Sequence, residues 1–206
     1  MSDAQFDVVV FGATSFVGQI LCQYLTDTYG VDGDLKWAAA GRSKDKLEQV
    51  KAQLGQAGSA LPLLTADAND AASLDTLCAQ TRVVISTVGP YALYGEPMIR
   101  ACVSSGTDYC DLTGEVQWIA AMLEKYEDQA KQSGARIVHC CGFDSIPSDM
   151  GTYFLQQQAR ARFKAPATRV KMRVKVAKGG VSGGTVASMM NIAEEAGKDP
   201  ALRKKL

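Results

Sequence analysis

The residues with the clearest chemical meaning stand near the start of the chain, in the run Gly12-Ala13-Thr14-Ser15-Phe16-Val17-Gly18. It follows a β-branched stretch, Phe6 to Phe11, and opens an amphipathic one, from about Phe16 to Tyr29. A glycine turn between a strand and a helix is the setting for binding a dinucleotide's pyrophosphate. Gly12 is expected to make the tight turn and Gly18 to let the helix pack closely on the strand. The backbone N–H groups of Thr14, Ser15, Phe16 and Val17 would then meet the phosphates, aided by the positive end of the helix. The spacing is that of a G-x-x-G-x-x-G loop with Ser15 in the middle position. A serine there still donates to phosphate but narrows the approach.

A second group follows the next apolar run, as Ala39-Ala40-Gly41-Arg42-Ser43. A strict NAD site places Asp or Glu at this strand end, for the ribose hydroxyls. Gly41 and Arg42 stand there instead. A guanidinium at that point pairs with a 2′-phosphate, and Ser43 and Lys46 are near enough in sequence to add to the contact. This favours NADP over NAD, with NAD still open if Arg42 is simply a solvated helix-start residue. Asp67 follows the third apolar run, where such folds meet the adenine; a capping role explains it equally well. Thr87-Val88-Gly89-Pro90 ends the fourth run, and Gly89 and Pro90 would let the backbone run close to the cofactor. Tyr91 and Tyr94 either line the nicotinamide side or pack the loop.

Two further polar segments end apolar runs, Tyr109-Cys110-Asp111-Leu112-Thr113-Gly114-Glu115 and Cys141-Gly142-Phe143-Asp144-Ser145-Ile146-Pro147. Carboxylates at such a cleft hold substrate or transfer protons. Glu115 fits a helix start equally well, and Asp144 or Ser145 fits a cap. His139 lies within an apolar run and reads as a core residue. No catalytic residue is assigned.

These segments need a scaffold, and the pattern of the chain supplies one. Apolar runs at Phe6–Phe11, Lys36–Ala40, Leu61–Thr65, Arg82–Thr87, Thr107–Asp111 and Arg136–Cys141 alternate with helical stretches. Strands alternating with helices indicate an α/β fold, a Rossmann-type doubly wound parallel sheet. In the stretch from about Phe16 to Tyr29, Val17, Ile20, Leu21, Tyr24 and Leu25 recur at helical spacing. After a helix from Pro147 to about Ala161, the segment Thr168 to Ala177 alternates apolar and basic residues strictly, as a half-exposed strand does. A Gly-rich turn, Gly179 to Gly184, and a helix ending near Gly197 follow. One strand and one helix cannot bury that face by themselves. Residues 1–164 are therefore expected to form the dinucleotide-binding domain. Residues 165–206 would begin a second α/β domain that the chain does not complete, its partner surface coming from further sequence or from another copy. A sheet-mediated homodimer is compatible with this pattern.

Composition narrows the function classes. The chain has 206 residues, 47% of them apolar, enough for a sizeable core. Lys+Arg and Asp+Glu are both 22, so no bulk charge points to nucleic acid or an anionic membrane. No stretch of about 18 uncharged apolar residues is present, so no spanning helix is expected. The start lacks the basic-then-apolar layout of a signal peptide. The six cysteines are scattered among apolar residues, which suits reduced thiols in a cytoplasmic protein. With one histidine and no C-x-x-C pair, no metal site is expected.

Taken together, the glycine turn, Ala40-Gly41-Arg42-Ser43, Ser86-Thr87-Val88-Gly89-Pro90-Tyr91, Tyr109 to Glu115 and Cys141 to Pro147 resemble the saccharopine dehydrogenase-like oxidoreductases, a group that includes trans-acting enoyl reductases of complex lipid synthesis. The resemblance covers essentially the whole chain, and the last two motifs are the most specific. It implies an NAD(P)-binding domain followed by an α/β domain, in proteins roughly twice this length. It also implies NADPH-dependent reduction, with an enoyl or related double bond of a small-molecule or lipid-linked substrate as one attested case. Gly12, Gly18 and Arg42 match the family's cofactor positions. Membrane association is motivated by the resemblance alone. The other function class is a non-catalytic nucleotide-binding module acting through a partner, which a fold by itself never excludes.

Overall fold

A short β-branched run flanked by turn residues has few options besides a buried strand, and Phe6–Phe11 forms β1. The computed structural model describes residues 4–176, 178–180 and 182–205. Ser15 then stops the strand direction and starts α1 (Phe16–Tyr29), its hydroxyl accepting from the Gly18 N–H at 2.9 Å. Gly30, at φ 70°, ends that helix. The pattern repeats: β2 (Trp37–Gly41), α2 (Lys44–Gln53), β3 (Leu63–Thr65), α3 (Ala71–Cys78), β4 (Thr81–Ser86), α4 (Tyr91–Tyr94), α5 (Glu96–Ser105), β5 (Asp108–Asp111), α6 (Val116–Ser133) and β6 (Ile137–Val138). Three more helices follow, α7 (Ile146–Phe163), α8 (Gly183–Lys198) and α9 (Pro200–Lys205).

The strands form one parallel six-stranded sheet in the order β3-β2-β1-β4-β5-β6. This is the doubly wound arrangement. The order reverses between β1 and β4, which opens a crevice at their carboxyl ends. Helices cover both faces. One core packs Phe11, Val84, Met98, Ile99, Tyr109 and Trp118 together; the other packs Val10, Cys22, Trp37, Leu47 and Leu61. Burial pushes the Cys22 thiol up to about 12, so it serves as a small apolar filler.

Four sequence expectations are corrected. The buried face of α1 is Gly18, Cys22, Leu25 and Thr26, while Ile20 and Tyr24 are exposed. Gly18 sets this rotation, because its Cα must lie against the Gly12 and Ala13 backbone. β6 is Ile137–Val138, not Arg136–Cys141. Past it the chain bends away, Cys140 taking φ 61°. The Cys140 N–H donates to Asp111 Oδ1 at 3.2 Å and the Cys141 N–H to the Asp111 carbonyl at 2.7 Å. An additional short helix, α4, occupies what reads in sequence as a loop. Last, residues 168–176 form no strand. The end of that expected strand, Ala177, and one residue of the Gly-rich turn, Val181, lie outside the described residues. Met172, Val174 and Val176 are exposed, and neither α7 nor α8 contains a fully buried residue. An alternating pattern becomes a strand only when a neighbour pairs with it.

Candidate functional site

Parallel strands bring their carboxyl ends to one edge, so four connecting loops converge there. The loop after β1 is tightest. Gly12 takes φ 90°, and a methyl group on it would lie 2.7 Å from Thr87 Oγ1 and from Val88 Cγ2. A methyl group on Gly18 would lie 2.2 Å from the Gly12 carbonyl oxygen. Thr87 ties the loops after β1 and β4 together: its hydroxyl donates to the Gly12 carbonyl at 2.9 Å and bonds Ser15 Oγ at 2.9 Å. Ser15 therefore serves as the cap of α1 and a link to β4, a role its place in the glycine loop does not announce.

A cleft of about 270 Å³ runs along this edge. It is bordered by Gly12, Thr14 and Ser15, by Gly41 and Arg42, by Asp67 and Asn69, and by Thr87, Val88, Gly89 and Tyr94. Arg42 is exposed on its rim and forms no hydrogen bond or ion pair among the described residues. Asp67 accepts from the Asn69 N–H at 2.9 Å and shapes the turn after β3. Two residues of the Arg42 group stand outside this lining. Ser43 caps α2, accepting from the Lys46 N–H, and Lys46 is exposed one turn along that helix. Gly18 and Pro90 lie behind the lining and are buried.

Phe16 and Val17 face a second cleft, of about 330 Å³, that meets the first at Ser15, Thr87 and Gly89. Leu112 to Glu115, Asp144, the α8 cap Ser182 and the α8 residues Thr185, Ser188, Met189 and Ile192 complete its walls. Tyr91 borders it too. Its hydroxyl donates to the Ser86 carbonyl at 3.0 Å, and burial, followed by the Asp111 charge, raises its pKa, so it remains a neutral donor.

The end of β5 and the loop after it carry two fully buried carboxylates, Asp111 and Glu115. Asp111 Oδ1 accepts from the Thr113 N–H at 3.0 Å, and Oδ2 lies 2.7 Å from His139 Nδ1. The ring of His139 sits edge-on to Trp118 and Tyr109. His139 is thus a core residue, as its apolar run indicates, but a paired one, and its partner lies on another strand. Glu115 Oε1 accepts from the Tyr91 N–H at 2.8 Å and Oε2 from the Ala92 N–H at 2.9 Å. It caps α4 from a distance, a role visible in sequence only as a carboxylate near a helix start. Cys110, beside Asp111, has its thiol pushed up to about 12, first by burial. Among the described residues no cluster of His, Cys, Asp and Glu is arranged to hold a metal ion, and no helix is long and apolar enough to cross a membrane.

These features fit a dinucleotide. A glycine turn too tight for any side chain leads into a capped helix N-terminus, and the cleft ends at an unpaired guanidinium. Comparison with known proteins agrees. Residues 8–138 match the family described as saccharopine dehydrogenase NADP binding domain. A protein of Mycobacterium tuberculosis provisionally named a trans-acting enoyl reductase is 44% identical over 202 residues, covering 98% of this chain and 48% of its own length. A trans-acting enoyl reductase of Mycobacterium ulcerans is 38% identical over 203 residues, covering 97% and 48%. The chain therefore spans about half the length of these relatives. Among solved structures, apo saccharopine dehydrogenase (L-Glu forming) from Saccharomyces cerevisiae superposes with a TM-score of 0.59 at 20% identity, over 76% of this chain and 32% of that one. That likeness speaks for the fold. The cofactor of this family is NADP, and the chain belongs to the saccharopine dehydrogenase NADP-binding domain family.

Proposed function

We propose that this chain is the cofactor-binding part of an NADPH-dependent oxidoreductase that reduces an enoyl or related double bond. The observation that carries the reading is the continuous cleft from the Gly12 turn to the unpaired Arg42. At its α1 end the pyrophosphate would meet the backbone N–H groups of Thr14, Phe16 and Val17, with Gly12 and Gly18 giving the close approach and the Ser15 N–H closing the turn on the Gly12 carbonyl at 2.9 Å. Arg42 takes the 2′-phosphate, with Lys46 adding charge from the next turn of α2. Ser43 accepts the Lys46 N–H as the cap of α2, and its O–H proton is left to donate to the same phosphate. Asp67 flanks the adenine. Thr87 to Pro90 carry the backbone past the nicotinamide end, where the two clefts meet.

NADPH, when bound, supplies a hydride. The residues of this chain orient and enclose. Phe16, Val17, Leu112, Met189 and Ile192 give the second cleft apolar walls that suit an uncharged acyl chain. The names of the relatives favour an enoyl substrate carried by a lipid or a partner. The segment from residue 165 onward, with exposed apolar side chains at Met172, Val174 and Val176, begins a second unit that closes over this cleft.

The test is a titration followed by turnover. The protein is expected to bind NADPH with a micromolar or tighter dissociation constant and to oxidise it when an enoyl thioester is added. Absence of binding to either nicotinamide cofactor would refute the reading. Binding without turnover on enoyl, imine and hydroxy-acid substrates would favour a non-catalytic nucleotide-binding module.

A further inference from the structure

Glu115 is almost fully buried, with 1% of its surface exposed, yet it takes no part in either core. Its carboxylate holds three groups from two separate segments. Two are the N–H groups of Tyr91 and Ala92, immediately after the Thr87–Pro90 loop that borders both clefts. The third is the hydroxyl of Ser188 on α8, which donates to Oε1 at 2.8 Å. The same hydroxyl is 3.9 Å from where a methyl group on Gly89 would stand. Among the described residues one other side-chain bond fixes α8 to the sheet domain, from Gln117 Nε2 to Glu195 Oε2 at 3.1 Å. Since α8 buries no residue fully, follows the glycines at 179 and 180 and begins with those at 183 and 184, its seat rests on few interactions.

We propose that Glu115 is a positioning residue that couples the cofactor loop after β4 to α8, so that NADPH binding and the seating of α8 strengthen one another. A bound dinucleotide fixes the Thr87–Pro90 backbone, which fixes the amides of Tyr91 and Ala92 on Glu115. The remaining lone pair of Oε1 is then presented to Ser188. Linkage makes the effect reciprocal: a seated α8 raises cofactor affinity by the same factor. In this way the wall of the second cleft is completed when reductant is in place. The inference rests on the reading that the first cleft holds NADPH.

The experiment is amide hydrogen exchange of residues 183–198 with and without saturating NADPH, alongside NADPH titrations, in the wild type and in S188A, S188T and E115Q. In the wild type NADPH is expected to slow exchange across α8. One hydrogen bond to a charged group carries about a tenfold effect on an equilibrium, so S188A should weaken NADPH binding roughly five- to tenfold and lose the protection. S188T keeps the hydroxyl and should restore both. E115Q turns an acceptor into a donor facing an N–H, and its loss should be at least as large. If E115Q does not fold, S188A and S188T still decide the matter. Wild-type binding of NADPH with unchanged α8 exchange would overturn the coupling and leave the cofactor reading standing. So would S188A behaving as the wild type. A flat NADPH titration of the wild type would overturn both.

Discussion

Replacing Arg42 by alanine is expected to weaken NADPH binding about tenfold to a hundredfold while changing NADH binding less than about threefold. The guanidinium stands on the rim of the cleft with no protein partner among the described residues, so no internal salt bridge competes for it. A doubly charged 2′-phosphate would gain a paired hydrogen bond there, and loss of that pair falls on NADPH alone. Arg42→Lys should recover part of the affinity, since an ammonium supplies charge without the two-pronged fork. Arg42→Glu should reverse the preference towards NADH. Dissociation constants from quenching or enhancement of nicotinamide fluorescence check all three. Equal losses for both cofactors in R42A would place Arg42 away from the 2′-phosphate.

Gly18→Ala is expected to lower stability by about 3 kcal/mol and to abolish measurable cofactor binding, the second of the two large effects. The new methyl would lie 2.2 Å from the Gly12 carbonyl oxygen and 2.8 Å from Ala13 Cα. Both are backbone atoms of the tight turn, so no side-chain rotation relieves the overlap. Helix α1 must move out, and its N-terminal amides move with it. In a chain of this size the loss corresponds to a fall in Tm of roughly 6–12 °C. Gly151→Ala is the control: nothing lies within 4 Å of the added carbon, so it should be neutral or slightly stabilising on α7. Thermal unfolding of both variants, with NADPH titration of each, separates the loop from general damage. A G18A protein of wild-type Tm and wild-type affinity would contradict the packing account.

The scaffold was largely legible because its signals are local. The strands β1 to β5 are short apolar runs closed by Gly, Pro or Asp, and the helices α1, α2 and α3 carry their own caps, Ser15, Ser43 and Asp70. What the chain hides comes from distance. The orientation of α1 depends on a contact between Gly18 and Gly12, so the apolar spacing of Ile20 and Tyr24 suggested the wrong face. Helix α4 exists because a carboxylate more than twenty residues later accepts its first two N–H groups. His139 was legible as a buried residue, but its partner Asp111 is 28 positions away on β5. The alternation of residues 168–177 was a true period-2 pattern without a paired neighbour, and the described part of it forms no strand and is mostly exposed.

The site shows the same division. Gly12, Arg42 and Thr87 to Gly89 follow strands directly, and a parallel sheet brings such positions to one edge whatever the rest of the chain does. Ser43 also follows a strand, but its hydroxyl is drawn into capping α2, an outcome decided by the helix rather than by the cleft. The second cleft was not readable, because α8 reaches it across more than sixty residues of intervening chain.

The account stands most directly on a crystal structure of the protein grown with NADP⁺. It predicts the pyrophosphate on the amides of Thr14, Phe16 and Val17, the 2′-phosphate against the Arg42 guanidinium, and the nicotinamide at the junction of the clefts beside Thr87 and Gly89. A dinucleotide bound elsewhere, or lying with its adenine end at Gly89, would contradict it.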